Sequence, residues 1–239
     1  MNVPLWRGRR PLLAAAGLLA FSAGGGQPLA APLPLPAAPG LVLLSTSTAR
    51  ADYGPLAEAF ETQANLAYCG AASSVMVLNS LAIPAPSVAG YGSYRFWTQQ
   101  NLFEAAAARA AIAPETVARQ GMTLAQLQSL LQSHGLRVNR LHGDGLTLVA
   151  LRTLVRRSLA DPDDRLLVNY DRRGLGQQGG GHISPLAAYD ASGDRVLILD
   201  VARYRYPSVW VELGDLLAAM RSTDASSGRS RGLLIVRRQ

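Results

Sequence analysis

The stretch Gly179-Gly-Gly-His182-Ile-Ser-Pro-Leu-Ala-Ala-Tyr189-Asp-Ala-Ser-Gly-Asp194-Arg-Val-Leu-Ile-Leu-Asp200-Val-Ala202 decides how this chain folds. Two runs rich in Ile, Leu, Val and Tyr flank Asp190-Ala-Ser-Gly-Asp194, whose residues favour turns, so the segment reads as a β-hairpin. A hairpin centred near Ser192 puts residues opposite one another when their numbers sum to about 384. His182 then faces Ala202, with Asp200 two positions along. As diagonal neighbours on one face, His182 and Asp200 have Cα atoms about 7 Å apart, a gap that an Asp side chain can bridge to an imidazole. The three glycines before His182 remove side-chain bulk where a substrate would approach. Taken without a nucleophile, Asp200 reads equally well as a mere strand end.

Outward from the hairpin, Arg165 to Tyr170 and Val209 to Leu213 also read as strands. Upstream the pattern is helical. Pro55 to Phe60 suits a short helix, Cys69 to Asn79 a longer one, and Pro114 opens another. Thr123 and Gln126 form a capping box ahead of Leu124, Leu127, Leu130 and Leu131, and Gly135 stops that helix. Thr147 to Leu159 is amphipathic and ends at the Asp161-Pro-Asp-Asp164 run. Helices first and strands later predict an α+β fold whose sheet is mainly antiparallel.

The chain has 239 residues, 49% hydrophobic and 16% charged, enough for one packed catalytic unit. All 23 basic residues are arginines and the formal net charge is +7. Three of them, Arg7, Arg9 and Arg10, precede an apolar run from Pro11 to Ala23. The remainder are scattered, without a basic stripe or reading motif, which argues against a nucleic-acid partner. Basic start, apolar run and small residues mark 1–31 as a signal peptide, the run being shorter than the ~20 residues a membrane span needs. Export to the bacterial periplasm, with no stable membrane anchor after cleavage, is the expectation. Residues 32–49, rich in Pro, Ala and Leu, read as a linker, and 50–239 as the catalytic domain.

Cys69 is the single cysteine, so intrachain disulfides and Cys-based zinc sites are excluded, leaving a buried structural thiol or a reactive one. At a helix N-terminus, partial positive charge and free N–H groups favour the thiolate. His134, beside a helix-stopping Gly, and His142, in a polar Gly/Asp segment, read as structural or exposed. Cys69, His182 and Asp200 together supply nucleophile, base and orienter for covalent acyl transfer. Gln63, six residues before Cys69, would add an N–H to an oxyanion hole, though alone it reads as a surface residue. No structural metal site is visible.

The run Gln63-Ala-Asn-Leu-Ala-Tyr-Cys69-Gly-Ala-Ala-Ser-Ser-Val-Met-Val-Leu-Asn79-Ser-Leu resembles the nucleophile segment of phytochelatin synthases, above all their short bacterial relatives. The likeness continues through Tyr94-Arg-Phe-Trp-Thr, Ile112 to Thr123, Gly181 to Tyr189 and Leu199 to Pro207. It implies a papain-like fold, with Cys69 as nucleophile, His182 as acid/base, Asp200 as its orienter and Gln63 as the oxyanion residue. It further implies that Asp224 and Arg231 hold the ammonium and carboxylate of a γ-glutamyl group; without it, both read as solvated loop charges. The implied reaction is cleavage of the Cys–Gly amide of glutathione, with transfer of the acyl group to water or, weakly, to a second glutathione. No cofactor is built in; cadmium or zinc would arrive as a metal–glutathione thiolate. The resemblance leaves room for a homodimer. Because this sequence stops at Gln239 with no second Cys, long-chain synthesis and direct metal activation are not expected. A papain-like peptidase acting on a peptide or protein, and a non-enzymatic exported thiol or metal-binding protein, are the alternatives.

Overall fold

The computed structural model describes residues 30–239. In chain order its elements are β1 (Leu33–Pro34), α1 (Ala38–Thr46), α2 (Tyr53–Glu58), α3 (Cys69–Ser80), α4 (Ala106–Ala111), α5 (Pro114–Gln120), α6 (Leu124–Ser133) and β2 (Leu136–His142). There follow α7 (Leu148–Ser158), β3 (Asp164–Asp171), β4 (Gly181–Asp190), β5 (Arg195–Ile198), β6 (Val209–Glu212), α8 (Leu213–Arg221), β7 (Thr223–Asp224), β8 (Arg229–Ser230) and β9 (Gly232–Arg238).

Seven strands pair in the order β1-β6-β5-β4-β3-β9-β2, and every neighbouring pair is antiparallel. The α+β reading therefore holds, and the strand that carries His182 lies at the centre of the sheet. Strand alternation feeds two separate cores. Leu167, Leu234 and Val236 point to one face, where α3 to α6 cover them. Leu166, Val168, Leu233 and Ile235 point to the other, under α7 and α8. With both faces buried, the strands read as continuous apolar runs rather than alternating ones.

The hairpin register is nearly as expected. Next to the turn, Asp190 faces Arg195 and Tyr189 faces Val196, one residue out of the expected register. An irregularity between Leu186 and Ala188 absorbs the extra residue, and Leu186 faces Ile198 as expected. The capping box at Thr123 and Gln126 is present, and Gly135 follows the helix at φ +79°. Thr147 caps α7 through the N–H of Ala150.

The linker expected over residues 32–49 needs correction. Leu33 and Pro34 form the edge strand on β6, and α1 follows with Pro39 in its first turn. The indole N–H of Trp210 donates to Gly40 O at 3.0 Å, and Ala49 O accepts from Tyr189 N at 2.8 Å. Proline is at home in a first helical turn, and the leucines here pack onto the core, so composition alone misled. The leader expected over 1–31 lies, but for Ala30 and Ala31, outside the described residues. Among the described residues no helix is long and apolar enough to cross a membrane.

Candidate active site

Cys69 opens α3, whose small residues let the helix lie close on the sheet. A side chain in place of Gly70 would press on Met122 and Ile183, and Ser73 Oγ donates to Ile183 O at 3.2 Å. This packing holds the helix start against the strand that carries His182. Cys69 is buried beside the His182 ring, and both line the same cavity. Burial would push the thiol up, but the neighbouring His182 imidazole and its charge, with the backbone of Ile183 and Gly70, bring it below the ordinary thiol range. His182 moves the opposite way. Burial opposes its charge, yet Asp200 and Cys69 raise its proton affinity above the ordinary value. The two shifts together favour a thiolate beside an imidazolium.

Asp200 follows the end of β5, and its Oδ1 lies 2.9 Å from His182 Nε2. The side chain is fully buried. Burial alone would raise it, but hydrogen bonds from His182 and Arg172 lower it to about 2, so it is a carboxylate at any pH of interest. Ser184 Oγ also lies 3.0 Å from Nε2. With Nε2 occupied on that side, Nδ1 is left for the thiol. Tyr170, directly across from His182 on β3, meets the imidazole edge to face at 5.7 Å.

A cavity of about 660 Å³ opens over these groups, lined by Cys69, His182, Asn169, Asp224 and Arg231 among others. Volume does not single it out, for a cleft of about 690 Å³ beside Asn79 and Arg95 is as large. What distinguishes it is the cysteine and histidine side by side in its wall. Asp224 and Arg231, loop charges when read alone, both face this cavity. The Asp224 carboxylate accepts from Ser226 N at 3.1 Å and Ser227 Oγ at 3.3 Å, which fixes it within a turn. Arg231 donates to Asn169 Oδ1 at 3.0 Å and lies so close over Gly181 that any side chain at 181 would collide with its guanidinium.

Gln63 is buried rather than at the surface, anchored by its backbone N–H to Val201 O at 3.0 Å. Its side-chain Nε2 donates to Asn65 O at 2.7 Å, so the amide is turned toward its own loop and Gln63 does not line the cavity. His134 packs edge-on against Trp97 at 4.6 Å, and His142 Nδ1 donates to Ser230 O at 2.6 Å. Both are thus held in structural roles. Sequence reasoning missed Arg172, Ser184 and Asn169. Arg172 stands in an Arg pair that reads as scattered charge, and only the fold brings it to Asp200. Asn169 sits two residues before the end of an apolar strand, a position at which a polar residue signals a site.

A helix-borne cysteine set against a histidine on an antiparallel sheet is compatible with the papain-like class of α+β proteins. Within that class the match is specific: the family model for phytochelatin synthase covers residues 32–233, and the chain belongs to the phytochelatin synthase family. The match takes in the whole of the segment expected to be a linker. The chain is 36% identical over 177 residues to glutathione gamma-glutamylcysteinyltransferase 3 of Lotus japonicus, covering 74% of this chain and 36% of that protein. It is 36% identical over 179 residues to glutathione gamma-glutamylcysteinyltransferase 2 of Arabidopsis thaliana, covering 75% and 38%. With the enzyme of that name from Schizosaccharomyces pombe the identity is 31% over 185 residues, covering 77% and 43%. The matched region thus spans well under half the length of these relatives.

Proposed function

We propose that this chain is a cysteine acyltransferase that cleaves the Cys–Gly amide of glutathione and passes the γ-glutamylcysteinyl group to water or to a second glutathione. The observation that carries the reading is Cys69 beside His182, itself hydrogen-bonded to Asp200, in the wall of a cavity that also presents Asp224 and Arg231. Family membership supports the substrate.

In this mechanism the Cys69 thiolate attacks the amide carbonyl carbon. As the C–N bond breaks, His182 gives its proton to the departing glycine amine, leaving a thioester on Cys69. Water or the amine of a second glutathione then attacks the thioester carbonyl, and His182 takes up the proton released. Asp224 and Arg231 pair with the ammonium and carboxylate of the γ-glutamyl group. The N–H of Cys69 serves the oxyanion, and Gln63 joins it if its amide swings away from Asn65. Cadmium or zinc enters as a glutathione thiolate, hence as part of the substrate. With a leader expected over 1–31, the reaction is proposed to run after export.

The test is incubation of the purified chain with glutathione, with and without cadmium, following glycine and thiol products by mass spectrometry. Glycine release by the wild type and none by Cys69→Ala supports the reading, and the ratio of γ-glutamylcysteine to phytochelatin tells hydrolysis from transfer. Absence of release sinks it and turns attention to peptide substrates.

A further inference from the structure

The carboxylate that orients His182 is itself held, and not by its own strand. Asp200 Oδ2 accepts from Arg172 Nη1 at 2.8 Å and Oδ1 from Arg172 Nη2 at 2.9 Å, a two-pronged fork. Ala202 N adds a third donor at 2.8 Å. The guanidinium is in turn fixed from two sides. Gln177 Oε1 accepts from Nη1 at 2.7 Å, and the ring of Tyr206 lies 4.8 Å from the guanidinium carbon. Arg172 is buried and is not among the residues lining the cavity.

The backbone is shaped to hold it there. Asp171 Oδ1 accepts from Arg173 N at 2.9 Å, which starts a tight turn just past β3. Arg172 N donates to Gly180 O and Gln177 N to Arg172 O, each at 3.0 Å, so the loop from 172 to 181 folds back on itself. Gly179 has φ +121°, and a Cβ there would press on the Arg172 side chain. The glycine run before His182 thus makes room for an arginine as well as for a substrate.

We propose that Arg172 is a positioning residue of the reaction: its fork fixes the plane of the Asp200 carboxylate, which fixes the His182 ring and so the face it turns to Cys69. This deepens the proposed function and rests on it. Arg172 also balances the charge of Asp200, so the carboxylate directs the imidazole while the imidazolium's charge remains available to the thiolate. A lysine would keep the charge but has no planar fork.

The experiment compares the wild type with Arg172→Lys by two readouts. In glycine release from glutathione, Arg172→Lys lowers kcat about 30-fold while KM stays within about threefold. In alkylation of Cys69 by iodoacetamide at pH 7, which needs no substrate, the rate falls about 10-fold. A raised KM with kcat preserved would make Arg172 a substrate contact and overturn the proposal, as would a wild-type alkylation rate in a folded Arg172→Lys. If the wild type releases no glycine, the substrate reading fails while alkylation still decides the role of Arg172. If Arg172→Lys does not fold, Gln177→Ala removes one support of the fork, and a threefold or so drop in alkylation is expected. No drop there would overturn the proposal as well.

Discussion

Among the described residues two Arg–Asp pairs are buried on both sides, and they behave in opposite ways. Asp200 with Arg172 sits at the candidate active site; Asp52 with Arg165 joins the residues before α2 to the start of β3, with both side chains almost wholly buried. Burial raises both carboxyls, yet Asp200 is held down at about 2 whereas Asp52 is pushed up to about 8. The difference lies in hydrogen bonds. Asp200 receives four, from Arg172 twice, His182 and Ala202. Asp52 receives one side-chain bond, from Arg165 Nη1 at 2.9 Å, and its Oδ2 has no partner. Arg165 spends its other donors on Ser80, Pro162 O and Asp164 O, and the negative charge of nearby Asp164 raises Asp52 further. A buried ion pair is therefore no fixed quantity: the number of donors on the acid decides whether it stays ionised.

The comparison breaks most visibly under a shape-preserving change. Asp200→Asn is expected to slow glycine release about 100-fold or more, because the amide cannot support the same imidazole charge and tautomer. Asp52→Asn should leave the rate within about twofold, since a carboxyl pushed to about 8 is already largely neutral at pH 7. Equal losses in steady-state assays would erase the distinction. For Arg165→Leu the cost falls on the fold: urea unfolding should show a loss of about 3 kcal/mol, with the rate per folded molecule intact, as Ser80 O, Pro162 O and Asp164 O lose their donor. Gly181→Ala tests the cavity side of the comparison by displacing Arg231, and a KM for glutathione raised about tenfold, with kcat within about threefold, is the expected result.

The smallest effect is the pH dependence of stability, and its sign differs between the pairs. Asp200, depressed, contributes stability present above about pH 4 and lost as pH falls through about 2. Asp52, raised, contributes stability present below about pH 4 and lost as pH rises through about 8. Thermal melts of Asp52→Asn should lose the decline between those two values, and melts of Asp200→Asn the decline at the acid end. A wild-type curve without the first decline would mean that Asp52 is ionised in the fold.

Much of the site was legible because its signals are local. Cys69 at a helix start, the capping box at Thr123 and the hairpin that aligns His182 with Asp200 each depend on neighbours in sequence, and even the bulge returns the ladder to the expected register. What escaped depends on partners far along the chain. β9 and β2 pair across nearly a hundred residues, and Leu33 meets Trp210, so neither pairing leaves a trace in a short window. The same holds for Arg172, whose neighbour Arg173 is an exposed arginine paired with Asp171. Two adjacent arginines look alike in sequence, yet the turn after β3 sends one inward and the other out.

The place of β9 in the sheet bears on how the molecule is made. It follows all the other described strands but enters between β3 and β2, so that until it arrives β3 is open on the side away from β4 and β2 has no neighbour in the sheet. On a ribosome, a nascent chain would carry open strand edges on β3 and β2 until residue 238 had emerged, and such edges invite pairing with other chains. Arg231 stands immediately before that strand. The proposed grip of Arg231 on a substrate and protection from aggregation would thus be completed by the same late event.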